Sequence, residues 1–290
     1  MGHTHAVDAH ATHLPDLRFV PTPSILPHEQ PDGQRLEALA RRLREQSVLK
    51  NPPIVTPLSH ARGAPERYVV LDGANRSTAA QAAGFPHMLV QVVRYGEPDV
   101  RLTTWNHALA LYPHQELLRA LQGVPGLEVM DTDSLHARAM LARREALAWM
   151  QFDDGAVQVL LGGRDIHERN ALLNIVVDGY REHGRMYRVE LDAFEPARTR
   201  HPDVTALVVF PRFEPAEILE LAHAGDRLPA GITRHLVRWR ALRLNVPIDV
   251  LADATRSREQ KNGWLDDWIR DKLASRQVRY YEEATVLFDE

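Results

Sequence analysis

The chain has no cysteine, which excludes disulfides, thiolate metal sites and cysteine nucleophiles. Lysine is nearly missing: among 35 basic residues only Lys50, Lys261 and Lys272 are lysines. None of them sits in a glycine-rich loop, and no G-x-x-x-x-G-K-[ST] sequence occurs. Any phosphate chemistry must therefore rest on arginine, backbone N–H groups and metal. No apolar run approaches the length of a membrane span, and no signal-peptide pattern opens the chain. The net charge of −4 supplies no global attraction to nucleic acid or anionic lipid. With 290 residues, 44% hydrophobic and 26% charged, the expectation is a soluble cytoplasmic enzyme of one large or two ordinary domains.

What is present is organised around Arg67-Tyr-Val-Val-Leu-Asp-Gly-Ala-Asn-Arg-Ser-Thr-Ala-Ala80. Val69 to Leu71 reads as a short buried strand, Asp72-Gly73 as a turn, and Asn75 to Ala83 as a helix closed by Gly84 and Pro86. Strand, glycine turn and helix N-terminus in that order build an anion site. Gly73 permits close approach of a ligand to the backbone, and Arg76 adds a bidentate donor fork. Asp72 is the odd member, because a carboxylate beside a phosphate is repelled unless something lies between them. Mg²⁺ would accept Asp72 and phosphate oxygens together. The plainer reading has Asp72 capping the helix and Arg76 solvating its first turn.

Residues 1–16 hold His3, His5, His10 and His13 among alanine and threonine; a disordered tail is expected rather than a metal site. The first domain is expected over 17–115. It opens with a strand at Leu17–Val20, then a loop, Ile25-Leu-Pro-His-Glu29, ending in a carboxylate. Leu36, Leu39, Ala40 and Leu43 recur at helical spacing behind Asp32. A strand begins at Ile54-Val55, residues 59–66 read as a loop, and His87–Val93 is a further strand. In Leu102-Thr-Thr-Trp-Asn-His107, Trp105 and Asn106 fit either a buried tryptophan with polar neighbours or a substrate wall.

The second unit is expected over 116–290. Asp153-Asp-Gly155 reads as a hairpin turn, Arg164–His183 as a helix, and Met186–Leu191 and Ala206–Phe210 as strands. Pro215–Ala224 reads as a helix. Pro229-Ala-Gly-Ile-Thr-Arg-His235 is polar and glycine-led between apolar elements, and residues 229–240 are expected to contribute to substrate binding. Arg240–Pro247 alternates as a strand does, Trp264, Leu265, Trp268, Ile269 and Leu273 form an amphipathic helix, and 278–288 reads as a strand.

Leu26-Pro-His-Glu29, the helix after it, Pro53-Ile-Val, and Val70-Leu-Asp-Gly-Ala-Asn-Arg76 together resemble the ParB/sulfiredoxin superfamily. Within it the chain resembles the free L-serine kinases, including the siderophore-associated kinase and regulator group; Trp105-Asn-His107 and Gly231-Ile-Thr-Arg-His235 also match that branch. The resemblance implies an α+β fold, with a ParB/sulfiredoxin-like N-terminal domain, a second α/β domain and the active site in the cleft between them. It implies transfer of a phosphoryl group from ATP or ADP, with Mg²⁺, to the hydroxyl of free serine. Glu29 then takes the place of the general base. Asp72, Gly73, Ala74, Asn75, Arg76 and Ser77 take the place of the nucleotide and metal motif. That motif reads Asp-Gly-His-His-Arg in the family, so both its histidines are replaced here.

Trp105, Asn106, Thr233, Arg234 and His235 take the place of the amino-acid pocket. Arg234 or His235 would hold the serine carboxylate. A sulfiredoxin needs a cysteine and is excluded. The second reading is a ParB-like nucleotide-responsive DNA-binding regulator, for which the Arg35, Arg41, Arg42 and Arg44 helix could expose a basic face. No membrane partner is expected, and a homodimer is left open.

Overall fold

The structure is a computed structural model that describes residues 14–30, 41, 43, 45, 47–58, 65–181 and 185–281. The histidine tail lies outside these residues, as do most of the expected helix at 36–43, most of the loop at 59–66 and the chain beyond 281.

Two sheets carry the fold. The first has the order β1 (Asp16–Pro21), β6 (His87–Val92), β4 (Ile54–Pro57), β5 (Tyr68–Asp72) and β2 (Ile25–Pro27). It is mixed: β2 runs parallel to β5 and β4 parallel to β6, while β1–β6 and β4–β5 are antiparallel. Tyr68, Val69, Val70 and Leu71 are all buried in β5, which accounts for a continuous apolar run rather than an alternating one. The second sheet is antiparallel throughout, in the order β12 (Arg185–Val189), β8 (Asn106–Ala110), β13 (Val204–Val209), β10 (Ala148–Phe152), β11 (Val157–Leu161) and β9 (Glu128–Thr132). The helix Ile166–Arg181 covers one face, burying Leu172, Leu173, Val176, Val177 and Tyr180. The hairpin at Asp153-Asp-Gly155 forms as expected, with Gly155 at φ 88°.

Two ribbons join the sheets. β7 (Val100–Thr104) pairs with β14 (Thr233–Val237), setting Thr233 opposite Thr104 and His235 opposite Leu102. β3 (Val48–Leu49) pairs with β15 (Val246–Pro247). The expected strand over Arg240–Pro247 is thus reduced to its last two residues. Positive φ at Arg243 and Asn245 breaks the extension before them, since neither angle belongs to a strand. Residues 278–281 are likewise irregular.

The chain also crosses the division at residue 115. Asn106–Ala110 belongs to the second sheet, and the C-terminal helix Arg258–Ala274 returns to the first. Its Leu265 joins the core of Phe19, Val70 and Met88, and Asn262 both accepts from Phe19 N and donates to Phe19 O. Among the described residues, no helix is long and apolar enough to cross a membrane.

Candidate active site

Glu29 follows the edge strand β2, and its backbone continues as a single bridge to Leu228. Its carboxylate is held by the 231–233 segment. Gly231 N–H donates to Oε2 at 2.9 Å, Thr233 N–H donates to Oε1 at 2.8 Å, and the Thr233 hydroxyl donates to Oε1 at 2.5 Å. Gly231 is in the left-handed region at φ 80°, and a Cβ there would fall within 2.4 Å of the Arg188 guanidinium. A glycine is therefore required for this N–H to face Glu29. His107 anchors the same residue from behind, with Nε2–H on Gly231 O at 3.1 Å and Nδ1 accepting from Tyr180 O–H at 2.6 Å. Burial lowers His107 to about 3, so it is a neutral strut.

His28 is buried beside Glu29. Its Nδ1 contacts Val70 O, and its Nε2 lies 2.8 Å from Thr233 Oγ1. Burial holds its pKa below the ordinary histidine value, against the pull of Glu29. His235 meets the His28 ring edge-on at 5.3 Å and places Nε2 2.6 Å from Tyr95 Oη. Burial first, and then His28, bring His235 down to about 3. It is neutral at physiological pH. Arg234 lies over the Trp105 ring at 4.4 Å and pairs with Glu190. Trp105 stands at the break between β7 and β8, its backbone N–H donating to Ile232 O.

The strand-turn-helix forms as read, with the helix at Ala74–Ala82 and Gly73 as its N-cap at φ 87°. No side chain caps the helix, so Asp72 does not do so. Instead Asp72 is bracketed by two arginines: Arg240 contacts Oδ2, and Arg76 Nη2 lies 3.6 Å from it. Arg76 also donates to Asn51 O at 3.1 Å, and its guanidinium lies over Gly73, where a Cβ would meet it at 2.7 Å. Ala74 and Asn75 stand half-buried in the first turn. In the parallel register Pro27 lies opposite Val70, two residues before Glu29 on one strand and two before Asp72 on the other.

Two expected site residues are turned elsewhere. Asn106 spends its amide on backbone, donating to Leu191 O and accepting from Phe210 N, and is 5% exposed. Ser77 bonds back to Gly73 O and Ala74 O within the helix and is buried. Conversely, His28, Tyr95 and Arg188 join the site without having been picked out as site residues, whereas Gly231 and Arg240 belong to the 229–240 segment expected to contribute to it. The partners of the first three are remote in sequence, and only the His in Pro-His-Glu29 was visible, as a neighbour of Glu29. A separate cavity of about 260 Å³ lies among Arg144, Arg169, Phe213 and Glu217. It contains none of these residues, and Arg144 is already spent on Glu217.

A magnesium ion can be tested against this donor set. Among the described residues no three carboxylates or histidines converge, and Asp72 is the carboxylate that would meet the ion beside the glycine turn. That fits a Mg²⁺ held through one carboxylate, substrate phosphates and water rather than by a protein cage.

No protein-family model matches the chain. It is 25% identical over 278 residues to a Staphylococcus aureus protein named ATP-dependent L-serine kinase SbnI, covering 94% of this chain and 97% of that one. An ATP-dependent L-serine kinase of Staphylothermus marinus is 32% identical over 85 residues, 29% of this chain and 32% of that one. Among solved structures, SbnI with a C-terminal truncation from Staphylococcus aureus superposes with a TM-score of 0.67 at 25% identity, covering 89% of this chain and 97% of that one. A free serine kinase in complex with AMP gives a TM-score of 0.67 at 20% identity, covering 83% and 95%. The resemblance carried by the motifs therefore extends over nearly the whole chain, and the two-layer α+β fold is shared.

Proposed function

We propose that this chain is a free L-serine kinase that transfers a phosphoryl group from ATP to the hydroxyl of free serine, giving O-phospho-L-serine. The observation that carries the reading is the Glu29 carboxylate, fixed by Gly231 and Thr233 just after the strand that pairs with β5, the strand that ends in Asp72. Phosphoryl transfer asks mainly for positioning and charge neutralisation, with one group to take the nucleophile's proton. Glu29 is that group. Serine is a poor nucleophile, and a positioned carboxylate that accepts its proton is worth a factor on the order of 10²–10⁴.

The remaining roles follow from charge. Gly73 and the uncapped helix start, together with Arg76, receive the nucleotide phosphates; Ala74 and Asn75 contribute as backbone. Mg²⁺ on Asp72 supplies further neutralisation of phosphate charge when bound. Arg240 and Arg76 keep the Asp72 carboxylate from facing phosphate unshielded. Arg234, held flat by Trp105, takes the serine carboxylate in exchange for Glu190, since an arginine fork fits a carboxylate better than it fits a single contact. Thr233 and His235 shape the pocket without charge. Arg41 meets Glu45 at 3.8 Å on an exposed surface, an ordinary solvated pair that gives the DNA-binding reading no support.

The test is to incubate the protein with Mg²⁺, ATP or ADP, and a panel of free amino acids, following phosphorylated products by mass. Phosphoserine from serine alone, with ATP preferred, is expected. Phosphorylation of no amino acid with either nucleotide would refute the reading.

A further inference from the structure

One hydroxyl stands between two acceptors beside Glu29. The Val70 carbonyl can only accept, so its contact with His28 Nδ1 fixes the ring proton on Nδ1. The buried, neutral ring then presents a lone pair at Nε2, facing Thr233 Oγ1 at 2.8 Å. On its other side Thr233 Oγ1 meets Glu29 Oε1 at 2.5 Å. A hydroxyl carries one proton and can satisfy only one of these acceptors at a time. With Glu29 ionised and His28 neutral, one of the two contacts is lone pair against lone pair. One added proton closes the count. Glu29 Oε1–H donates to Thr233 Oγ1, the hydroxyl turns to donate to His28 Nε2, and Nδ1–H continues to Val70 O. Every contact is then a hydrogen bond in a single direction. The arrangement is complementary to a protonated Glu29, the state that a base reaches after taking a proton.

We propose that His28 is a positioning residue for proton transfer, accepting the Thr233 hydroxyl as Glu29 becomes protonated and so raising the proton affinity of the base during phosphoryl transfer. This rests on the kinase reading. In atoms, the serine O–H bond breaks and its proton settles on Glu29 Oε1. The serine oxygen bonds to the γ-phosphorus, and the bond to the bridging oxygen breaks, its electron pair leaving with the nucleotide. The Thr233 hydroxyl swings from Oε1 to Nε2 without breaking its own O–H bond. His28 keeps its Nδ1 proton throughout, and Glu29 returns its proton to solvent after product leaves.

The groups facing this relay do not compete for the proton. His235 is buried and neutral, and burial pushes the phenol of its half-buried partner Tyr95 up from its ordinary value. His107 is neutral behind Gly231. Two fixed cations flank it, Arg188 against Gly231 and Arg234 paired with Glu190.

His28→Asn keeps an amide N–H for Val70 O but withdraws the acceptor at Nε2, whereas His28→Gln restores an amide oxygen near that position. Kinetics with Mg²⁺, ATP and serine across pH should show kcat of His28→Asn reduced by about five- to thirty-fold, the scale of one hydrogen bond gained in the transition state. Both KM values should stay within about threefold. The acid limb of the kcat/KM profile should move to lower pH, because the protonated base has lost its support. His28→Gln should recover most of the rate, and His28→Asn combined with Thr233→Val should be no slower than Thr233→Val alone. An active wild type whose acid limb stays in place in His28→Asn overturns the role. Should the variants fail to fold, the ring nitrogens of wild-type His28 decide by NMR. A neutral Nδ1–H tautomer from pH 8 to 6 is required, and an Nε2–H tautomer or a cation overturns it. A wild type that makes no phosphoserine overturns the kinase reading and this role together, a result distinct from either.

Discussion

At the scale of single residues, the site divides into charges that act and charges that burial has removed. Arg76 and Asp72 meet at the turn, and Arg76→Ala, which removes the fork aimed at phosphate, should weaken nucleotide binding about tenfold or more. Arg76→Lys should recover only part of it, since an ammonium lacks the planar fork; equilibrium titration with nucleotide checks both. His107 and His235 have lost their charge, each lowered to about 3 by burial. The unfolded chain takes those protons near 6.5, before the native state can, so stability is full above that pH and falls as pH drops toward 3. Each contributes a slope on the order of 1 kcal/mol per pH unit within the window. Urea unfolding at pH 7 and pH 4.5 should show this loss, and the drop should be smaller in His107→Gln. Glu29, Asp72 and Arg76 could be picked out in the sequence because their motifs are local, and Gly231 and Thr233 as part of a polar, glycine-led segment. That these two donate to Glu29, 202 and 204 residues away, was not legible. Asn106 and Ser77 misled for a related reason: a polar side chain reads the same whether it faces a ligand or satisfies backbone.

At the scale of elements, local pattern located the strand-turn-helix, the Asp153–Gly155 hairpin and the Pro215–Ala224 helix, all set by nearby residues. It failed at Arg240–Pro247, where alternation suggested a strand. That segment instead turns through positive φ, with Arg240 reaching Asp72 and Ala241 N–H bonded to Gln91. A tertiary contact overrode the period. The 229–235 segment depends on one glycine. Gly231→Ala adds a left-handed strain of about 1–2 kcal/mol and drives a Cβ into Arg188, displacing the N–H that holds Glu29. Steady-state kinetics should show serine turnover reduced by roughly 10- to 100-fold with nucleotide affinity retained. Equal losses for both substrates would mark a general folding defect.

At the scale of the molecule, the two sheets are tied by exchange of segments. The ribbon of β7 and β14 carries Thr233 to Glu29, and the C-terminal helix closes the core of the first sheet through Leu265, which is fully buried. Leu265→Ala should cost about 2–5 kcal/mol, and removal of residues 258–290 should abolish cooperative melting of the first sheet in circular dichroism. This return was hidden in the sequence, because an amphipathic helix shows which face is apolar but not what it covers. The pairing of Glu29 with a segment from the far end of the chain is what makes the site a property of the whole fold, and Glu29 is where the account is most exposed. Phosphoserine formation by Glu29→Gln, measured beside the wild type with Mg²⁺ and ATP, addresses it directly. The amide keeps the size of the side chain and cannot take a proton. Turnover should fall by about 10²–10⁴-fold with nucleotide affinity nearly unchanged, whereas near-normal phosphoserine production by Glu29→Gln would contradict the catalytic assignment.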